Sequence, residues 1–220
     1  MELNEDKTKC MVFNFKRKQQ FSTRLVLNGK TIDTVKEFKL LGTIITDDLK
    51  WNKNTKYLVK RAYGRIELLR KMSEFTKSKE DRLHIYKTYI RSVLEQSCVV
   101  WNENISKQNE RELERVQKVS VRLIIGKYES YTEALKILKI ETLKERRQEL
   151  CNRFAEKCIQ NERTTHMFKK NIKNHKMNLR NSEKYKVISA RTVRMKKSAV
   201  PSMSKHLNKK HKESKHILNL

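Results

Sequence analysis

The hydrophobic period of this chain changes at Trp51, and that change limits the folds open to it. Before Trp51 the apolar residues come in short runs of β-formers separated by turn signals. After it they recur three and four positions apart, the spacing that lines one face of a helix. The segment that carries the change, Phe38 to Asn52 (FKLLGTIITDDLKWN), also holds an adjacent acidic pair, Asp47 and Asp48. A chain patterned this way is α+β and mainly α, with a small antiparallel β part followed by a helical bundle.

In the β part, Thr8 to Phe15 (TKCMVFNF) alternates partly and predicts a strand. Arg24 to Leu27 and Lys30 to Asp33 flank Asn28-Gly29. That pair suits the positive φ angles of a two-residue type I′ turn and predicts a hairpin. Val35 to Ile45 predicts a further extended run, with Gly42 as a bulge or a point of close approach. Three or four short strands cannot bury both faces alone, so they read as the edge of a sheet.

The helical part resolves into stripes. Tyr57, Leu58, Ala62, Ile66, Leu69 and Met72 form one, and Leu83, Tyr86, Ile90, Val93 and Leu94 the next. Leu113, Val116, Leu123 and Ile124 mark a third helix, Ala134, Leu135 and Leu138 a short fourth, and Leu143, Leu150, Phe154, Cys158 and Ile159 a fifth. Ser78, Ser130 and Thr142 each stand three residues ahead of an acid (Asp81, Glu133, Glu145), as helix caps do. Gly126 stands where the third helix should stop. Past Arg163 the periodicity fades and predicts a loosely ordered, partly disordered tail with short helical patches. The organisation is therefore a β part at 1–50, a helical domain at 51–126, additional helices at 127–163 and a basic tail at 164–220.

Charge points to the partner. The formal net charge is +27, and it is unevenly spread. Residues 51–126 hold 17 Lys/Arg against 9 Asp/Glu, and residues 164–220 hold 16 against 2. Such segments suit a polyanion, RNA or DNA, bound through its backbone without sequence choice. Lys53, Lys56, Lys60, Arg61 and Arg65 fall near one exposed side of the first helix and would contact phosphates. Tyr57 and Tyr63 interleave with them, though at helical spacing Tyr57 also fits a core, as do Trp51 and Trp101. No run of 18 apolar residues is present, so no membrane span is expected. The N-terminus lacks a signal-peptide apolar region, which predicts an intracellular protein of nucleus or cytoplasm. Cys10, Cys98, Cys151 and Cys158 lie far apart and read as free thiols.

Other chemistry finds little support. Cys151 and Cys158 are two helical turns apart, about 10 Å, too far to share one zinc ion. His206, His211 and His216 recur every five residues, which is not one helical face. No metal site, no Gly-rich phosphate loop and no small-molecule substrate is expected.

The order of short motifs carries a resemblance. Leu3-Asn4, Lys7-Thr8, Phe38 to Gly42, Asp47 and Leu49 to Trp51 resemble the end of the palm in non-LTR retrotransposon reverse transcriptases. Tyr89 to Trp101 (YIRSVLEQSCVVW) resembles the thumb helix of that family. Leu113 to Lys118, Arg122 to Gly126, Tyr131, Ala134-Leu135, Leu143, Arg146-Arg147 and Leu150-Cys151 follow in family order, as do Tyr185 to Val187, Arg191-Thr192, Arg194 and Ser198 to Pro201. The chain is similar above all to jockey-like polyproteins of animals.

The resemblance implies a palm-edge remnant, a thumb-like bundle and a basic tail. It places the family's catalytic carboxylates upstream of the Leu3-Asn4 segment, so this chain is expected to lack them and to hold no cofactor, with Mg²⁺ implied only for the intact enzyme. Two-metal phosphoryl transfer needs carboxylates converging on ions about 3.5–4 Å apart, and Asp47-Asp48 reads instead as a turn whose side chains accept backbone N–H groups. Lys7 matches a lysine that serves as general acid in the intact enzyme; in this chain it also reads as a solvent-facing lysine. Leu40, Leu41 and Gly42 resemble the primer grip, with a bulged sheet edge as the alternative. The expectation is a truncated RNA-directed DNA polymerase of a mobile element, inactive as this chain. The alternatives are a stand-alone basic RNA- or DNA-binding protein and a non-functional retrotransposon relic.

Overall fold

The computed structural model of the chain describes residues 4, 7–15, 24–171 and 184–218. Two hairpins form the β part. β1 (Leu25–Leu27) pairs with β2 (Lys30–Ile32), and β3 (Glu37–Leu40) pairs with β4 (Thr43–Thr46), both antiparallel. Asn28 and Gly29 take φ angles of 48° and 82°, as a type I′ turn requires. The β part differs from its sequence reading in three ways. The hairpins are separate two-stranded sheets, not one sheet edge. Thr8 to Phe15 contributes a single parallel bridge, Cys10 to Thr34, since among the described residues no partner strand lies alongside it. Val35 to Ile45 is a folded hairpin, not one run: Leu41 and Gly42, at φ 47° and 82°, reverse the chain between β3 and β4.

The helices carry the mass of the protein. α1 (Asn52–Phe75) and α5 (Lys107–Ile125) pack along their lengths, and Asn109 Nδ2 donates to Asn52 Oδ1 (2.7 Å) where they start. Between them run α2 (Lys79–Ile85), a widened π turn (Tyr86–Arg91), α3 (Ser92–Glu95) and α4 (Cys98–Trp101). The segment Tyr89 to Trp101, expected from its sequence to be helical, is thus interrupted. Ser97 sits in the left-handed region at φ 52°, and Gln96 turns its carbonyl to the Trp101 indole N–H (2.9 Å). α6 (Tyr131–Leu138) and α7 (Leu143–Gln160) complete the bundle.

The caps form where the sequence marks them. Ser78, Ser130 and Thr142 each accept an N–H from the third residue on, at 3.2 Å, and Thr142 with Glu145 makes the full reciprocal box. The Thr142 hydrogen bonds hold the Glu145 carboxyl below its ordinary range. Ser106 caps α5 in the same way (3.1 Å), a start without an acid three residues on to signal it.

One core joins the bundle. Leu58, Ala62, Leu69, Ile90, Leu94, Trp101, Leu113, Val116, Ile124 and Leu143 are buried in it, each large aliphatic side chain stabilising the fold by about 1.5–3 kcal/mol. The core takes in Ala134, Leu135 and Leu138, so it continues past residue 126 without a break. Several buried polar groups are linked by hydrogen bonds, whereas among the described residues Asn54 Nδ2, Thr55 Oγ1, Glu114 Oε2 and Arg147 Nη1 accept or donate none. Tyr86 donates to Gln117 Oε1, Gln117 Nε2 donates to Tyr131 Oη and to the Glu141 carbonyl (both 2.9 Å), and Tyr131 donates to Glu114 Oε1 (2.6 Å). Burial pushes both tyrosine hydroxyls up, so they remain donors at any physiological pH. Arg147 is fully buried; it lies over the Trp101 ring (5.6 Å) and donates to Asn102 Oδ1 (2.9 Å).

The tail carries more structure than its fading period predicts. α8 (Glu162–Thr165) and α9 (Val193–Lys196) are single turns, but α10 (Ala199–Leu218) runs for 20 residues and packs on α7. Pro201 falls in its first turn, where a missing N–H costs nothing. A second core forms there from Ala155, Cys158, Phe168, Tyr185, Met203 and Leu207. The division at residue 163 therefore runs through a packed cluster. No described helix is long and apolar enough to cross a membrane.

Candidate nucleic-acid interface

The residues marked as basic on α1 separate into two groups. Lys53, Lys56 and Lys60 recur three and four apart on the exposed side of the helix, and Lys53 is tied to Glu37 of β3, whose carboxylate raises its pKa. Arg61 and Arg65 fall on the flank, half-buried, and face the β3–β4 turn and the π segment. There they meet groups brought from far along the chain.

Gln96 is the junction. Its Nε2 donates to the Leu41 carbonyl (3.1 Å) and its Oε1 accepts from Arg61 Nη1 (2.9 Å). A Cβ added at Gly42 would stand 2.2 Å from that same Nε2, so the turn approaches Gln96 as closely as glycine allows. Gly42 is thus a point of close approach, in a turn and not in a bulge. Arg61 also faces the Tyr57 ring (5.4 Å), with Lys39 of β3 over the same ring at 4.7 Å. The Lys39 ammonium, with Arg61, holds the Tyr57 hydroxyl below its ordinary pKa. Arg65 lies over the Tyr89 ring (4.3 Å) and donates to the Tyr89 carbonyl. Each such cation–aromatic pair contributes on the order of 0.5–1 kcal/mol when exposed, and more when water is excluded.

Leu41, Gly42, Arg61 and Arg65 therefore gather on one face, while Lys53, Lys56 and Lys60 flank it on the open side of α1. Lys39, Tyr89 and Gln96 belong to the same face and were not singled out from the sequence. Gln96 is 55 positions from Leu41, and nothing in its local pattern signals that contact. Tyr57 is half-buried and ringed by cations, intermediate between a core residue and a stacking platform. Tyr63 is exposed and outside this group. Leu41 is 88% exposed at the tip of the hairpin. An exposed apolar side chain on a left-handed backbone is costly, and such strain concentrates where a fold presents groups to a partner.

The hinge that follows has its own strain. Leu49 and Trp51 take φ angles of 50° and 59°. Asp48 shapes the turn: its Oδ1 accepts the Thr46 hydroxyl (2.7 Å) and the Lys50 N–H (3.1 Å), and its Oδ2 pairs with the Lys50 ammonium (3.1 Å). Partial burial works to raise its pKa, but those hydrogen bonds outweigh it and hold it low. The pair does not fit a magnesium centre, since Asp48 is already engaged by donors and a cation. Among the described residues no three His, Cys, Asp or Glu side chains gather where they could share a metal ion. Beside the hinge, Lys50, Arg194 and Lys197 line a shallow cleft of about 290 Å³. Lys7 is exposed, its backbone N–H on Asn4 Oδ1 (3.1 Å), and it lies outside the gathered face. All four cysteines are free thiols, and Cys151 meets Cys98, its Sγ 3.8 Å from the Cys98 carbonyl.

Comparison with family models, curated proteins and solved structures finds no match to the chain.

Proposed function

We propose that this chain binds single-stranded or duplex nucleic acid through its phosphate backbone, and that it is a non-catalytic relative of the palm edge, thumb and basic tail of a non-LTR retrotransposon reverse transcriptase. The observation that carries the binding is the face on which the Leu41-Gly42 turn, Gln96, Arg61, Arg65, Tyr57 and Tyr89 converge. Guanidinium groups held beside aromatic rings, each with one donor fixed by the protein, have further N–H groups to offer phosphate oxygens. The lysines of the outer face of α1 add charge without sequence choice. The kinship rests on the ordered motifs of the sequence. No phosphoryl transfer is assigned to the chain, because Asp48 is consumed in holding the turn. Nucleus or cytoplasm is the compartment that goes with such a partner.

The test is titration of labelled RNA and DNA oligonucleotides of unrelated sequence over a range of salt. The expected result is similar affinity for each, falling linearly with log salt by about 0.7–0.9 per phosphate contacted. R61Q/R65Q should weaken binding at least tenfold. Affinity indifferent to salt, or confined to one sequence, would overturn the reading. So would Asp47-dependent extension of a primer on an RNA template with Mg²⁺ or Mn²⁺.

A further inference from the structure

The tail holds the most lopsided charge in the chain, and it is built rather than merely basic. Residues 169–171 and 184–186 run antiparallel. The Lys186 N–H donates to the Lys169 carbonyl (2.8 Å) and the Asn171 N–H to the Lys184 carbonyl (3.0 Å), with Lys170 bridging Tyr185. Side chains alternate across such a pair. Phe168 and Tyr185 turn inward and are buried in the second core. Lys169, Lys184 and Lys186 are therefore left together on the outward face, all exposed, with Lys169 directly opposite Lys186.

Like charges placed opposite each other destabilise a strand pair. Among the described residues no acid is seen to relieve them. Of the acids on the helices packed beneath, Glu156 is taken by Lys210 (2.7 Å) and His206 (3.4 Å), and Glu213 pairs with Lys209 (3.8 Å). Among the described residues no carboxylate pairs with Lys169, Lys184 or Lys186; Lys184 has only a distant contact with the Tyr185 ring, 5.7 Å from its centroid. Yet the strand pair is firmly held. Asn208 of α10 is 3% exposed, accepts the Tyr185 N–H (2.8 Å) and donates to the Tyr185 carbonyl (2.9 Å), so one side-chain amide satisfies both backbone groups as a further strand would. The fold thus fixes the backbone of three lysines so that their like charges share one outward face.

We propose that this lysine face is a second polyanion-binding surface, distinct from the α1 face, and that its partner is the phosphate backbone of the same nucleic acid. An acidic membrane is the weaker fit, because none of the outward positions carries an apolar side chain that could enter lipid. The inference rests on the nucleic-acid reading above and adds to it a partner-binding role for the tail. Two surfaces on one chain raise overall affinity through effective concentration whenever one strand spans both.

The experiment uses the full chain and a labelled single-stranded oligonucleotide, comparing wild type, K169Q/K184Q/K186Q and N208A over a salt series. The triple variant should bind at least tenfold more weakly, with a salt slope shallower by about 2, the value for three lost phosphate contacts on a single strand. Its thermal transition should stay where it is or rise, since repulsion is relieved; a merely structural role would lower it. N208A should weaken binding with no charge removed. A triple variant that keeps the wild-type slope overturns this inference alone. Loss of binding to phosphatidylserine vesicles with none to the oligonucleotide also overturns it, in favour of a lipid surface. A wild-type chain that binds no oligonucleotide overturns the functional reading and this inference with it.

Discussion

The helical body and the β3–β4 hairpin face each other across α1, and they are held by different means. In the body, Trp101, Leu113, Val116 and Ile124 are wholly excluded from water, and Tyr86, Gln117, Tyr131 and Glu114 are joined in one hydrogen-bond network. In the hairpin, every residue of β3 is exposed, including Phe38 (40%) and Leu40 (51%), and only Thr43 and Thr46 of β4 are buried. The hairpin packs Ile45 on the core but is otherwise fastened by polar contacts: Ile44 N–H to Asn54 Oδ1 (3.0 Å), the Leu41 carbonyl to Gln96 (3.1 Å), and the Glu37–Lys53 ion pair. Burial of apolar area stabilises the first region, while the second adds only Ile45 to that core and depends more on a few placed polar groups. A region held this way can open without unfolding the rest, which suits an element that meets a partner.

Trp101→Ala should produce the largest effect. It removes a fully buried aromatic from the centre of the body, takes the ring from under Arg147, and leaves the Gln96 carbonyl without its indole donor. A loss of about 4 kcal/mol is expected, read as a lowered midpoint in urea. The comparison requires that body and hairpin be lost together, because Gln96 ties the tip to that site. A hairpin that stays protected from hydrogen exchange while the body unfolds would break it.

Gly42→Ala acts from the other side. The new Cβ would press on the Gln96 amide in a backbone conformation that disfavours any L side chain. The two effects together cost about 2 kcal/mol. Exchange protection should fall across β3 and β4 and hold in α1 and α5. Equal loss everywhere would show that the two regions unfold as one.

How much of this was legible in the sequence follows the same division. The stripe from Leu58 to Leu69, the caps at Ser78, Ser130 and Thr142 and the stop at Gly126 depend on neighbours three or four positions away, so a local pattern contains them. The Asn28-Gly29 hairpin was legible for the same reason. The β3–β4 turn was not, because Leu41 takes a left-handed conformation that its side chain disfavours, sustained by the β3–β4 pairing and by the contact with Gln96 far along the chain. α10 was obscured by its composition: Met203, Leu207 and Asn208 are buried amid lysines, and Asn208 earns its place through Tyr185, 23 positions away. Of the face proposed to bind, the charges on α1 could be read but not their grouping, since Arg61 and Arg65 are drawn to the flank by partners that lie outside their helix.

The smallest expected effect is the most discriminating. Leu41 contributes almost no burial, being 88% exposed, and its backbone stands at φ 47°. Leu41→Gly removes a left-handed penalty of about 1–2 kcal/mol and introduces an unfolded-state entropy cost of about 0.5–1 kcal/mol. A gain of about 0.5 kcal/mol remains, seen as a slightly raised thermal midpoint. The Gln96 bond is to the Leu41 carbonyl and survives the change. If the exposed leucine exists to touch a nucleic acid, the stabilised variant should bind more weakly, by about threefold, with an unaltered salt slope, because an apolar contact is lost and no charge is removed. Stability and affinity would then move in opposite directions at one residue. A variant that is more stable and binds as well as the wild type would leave the strain at the tip without a binding role, and the hairpin would differ from the body only in how loosely it is held.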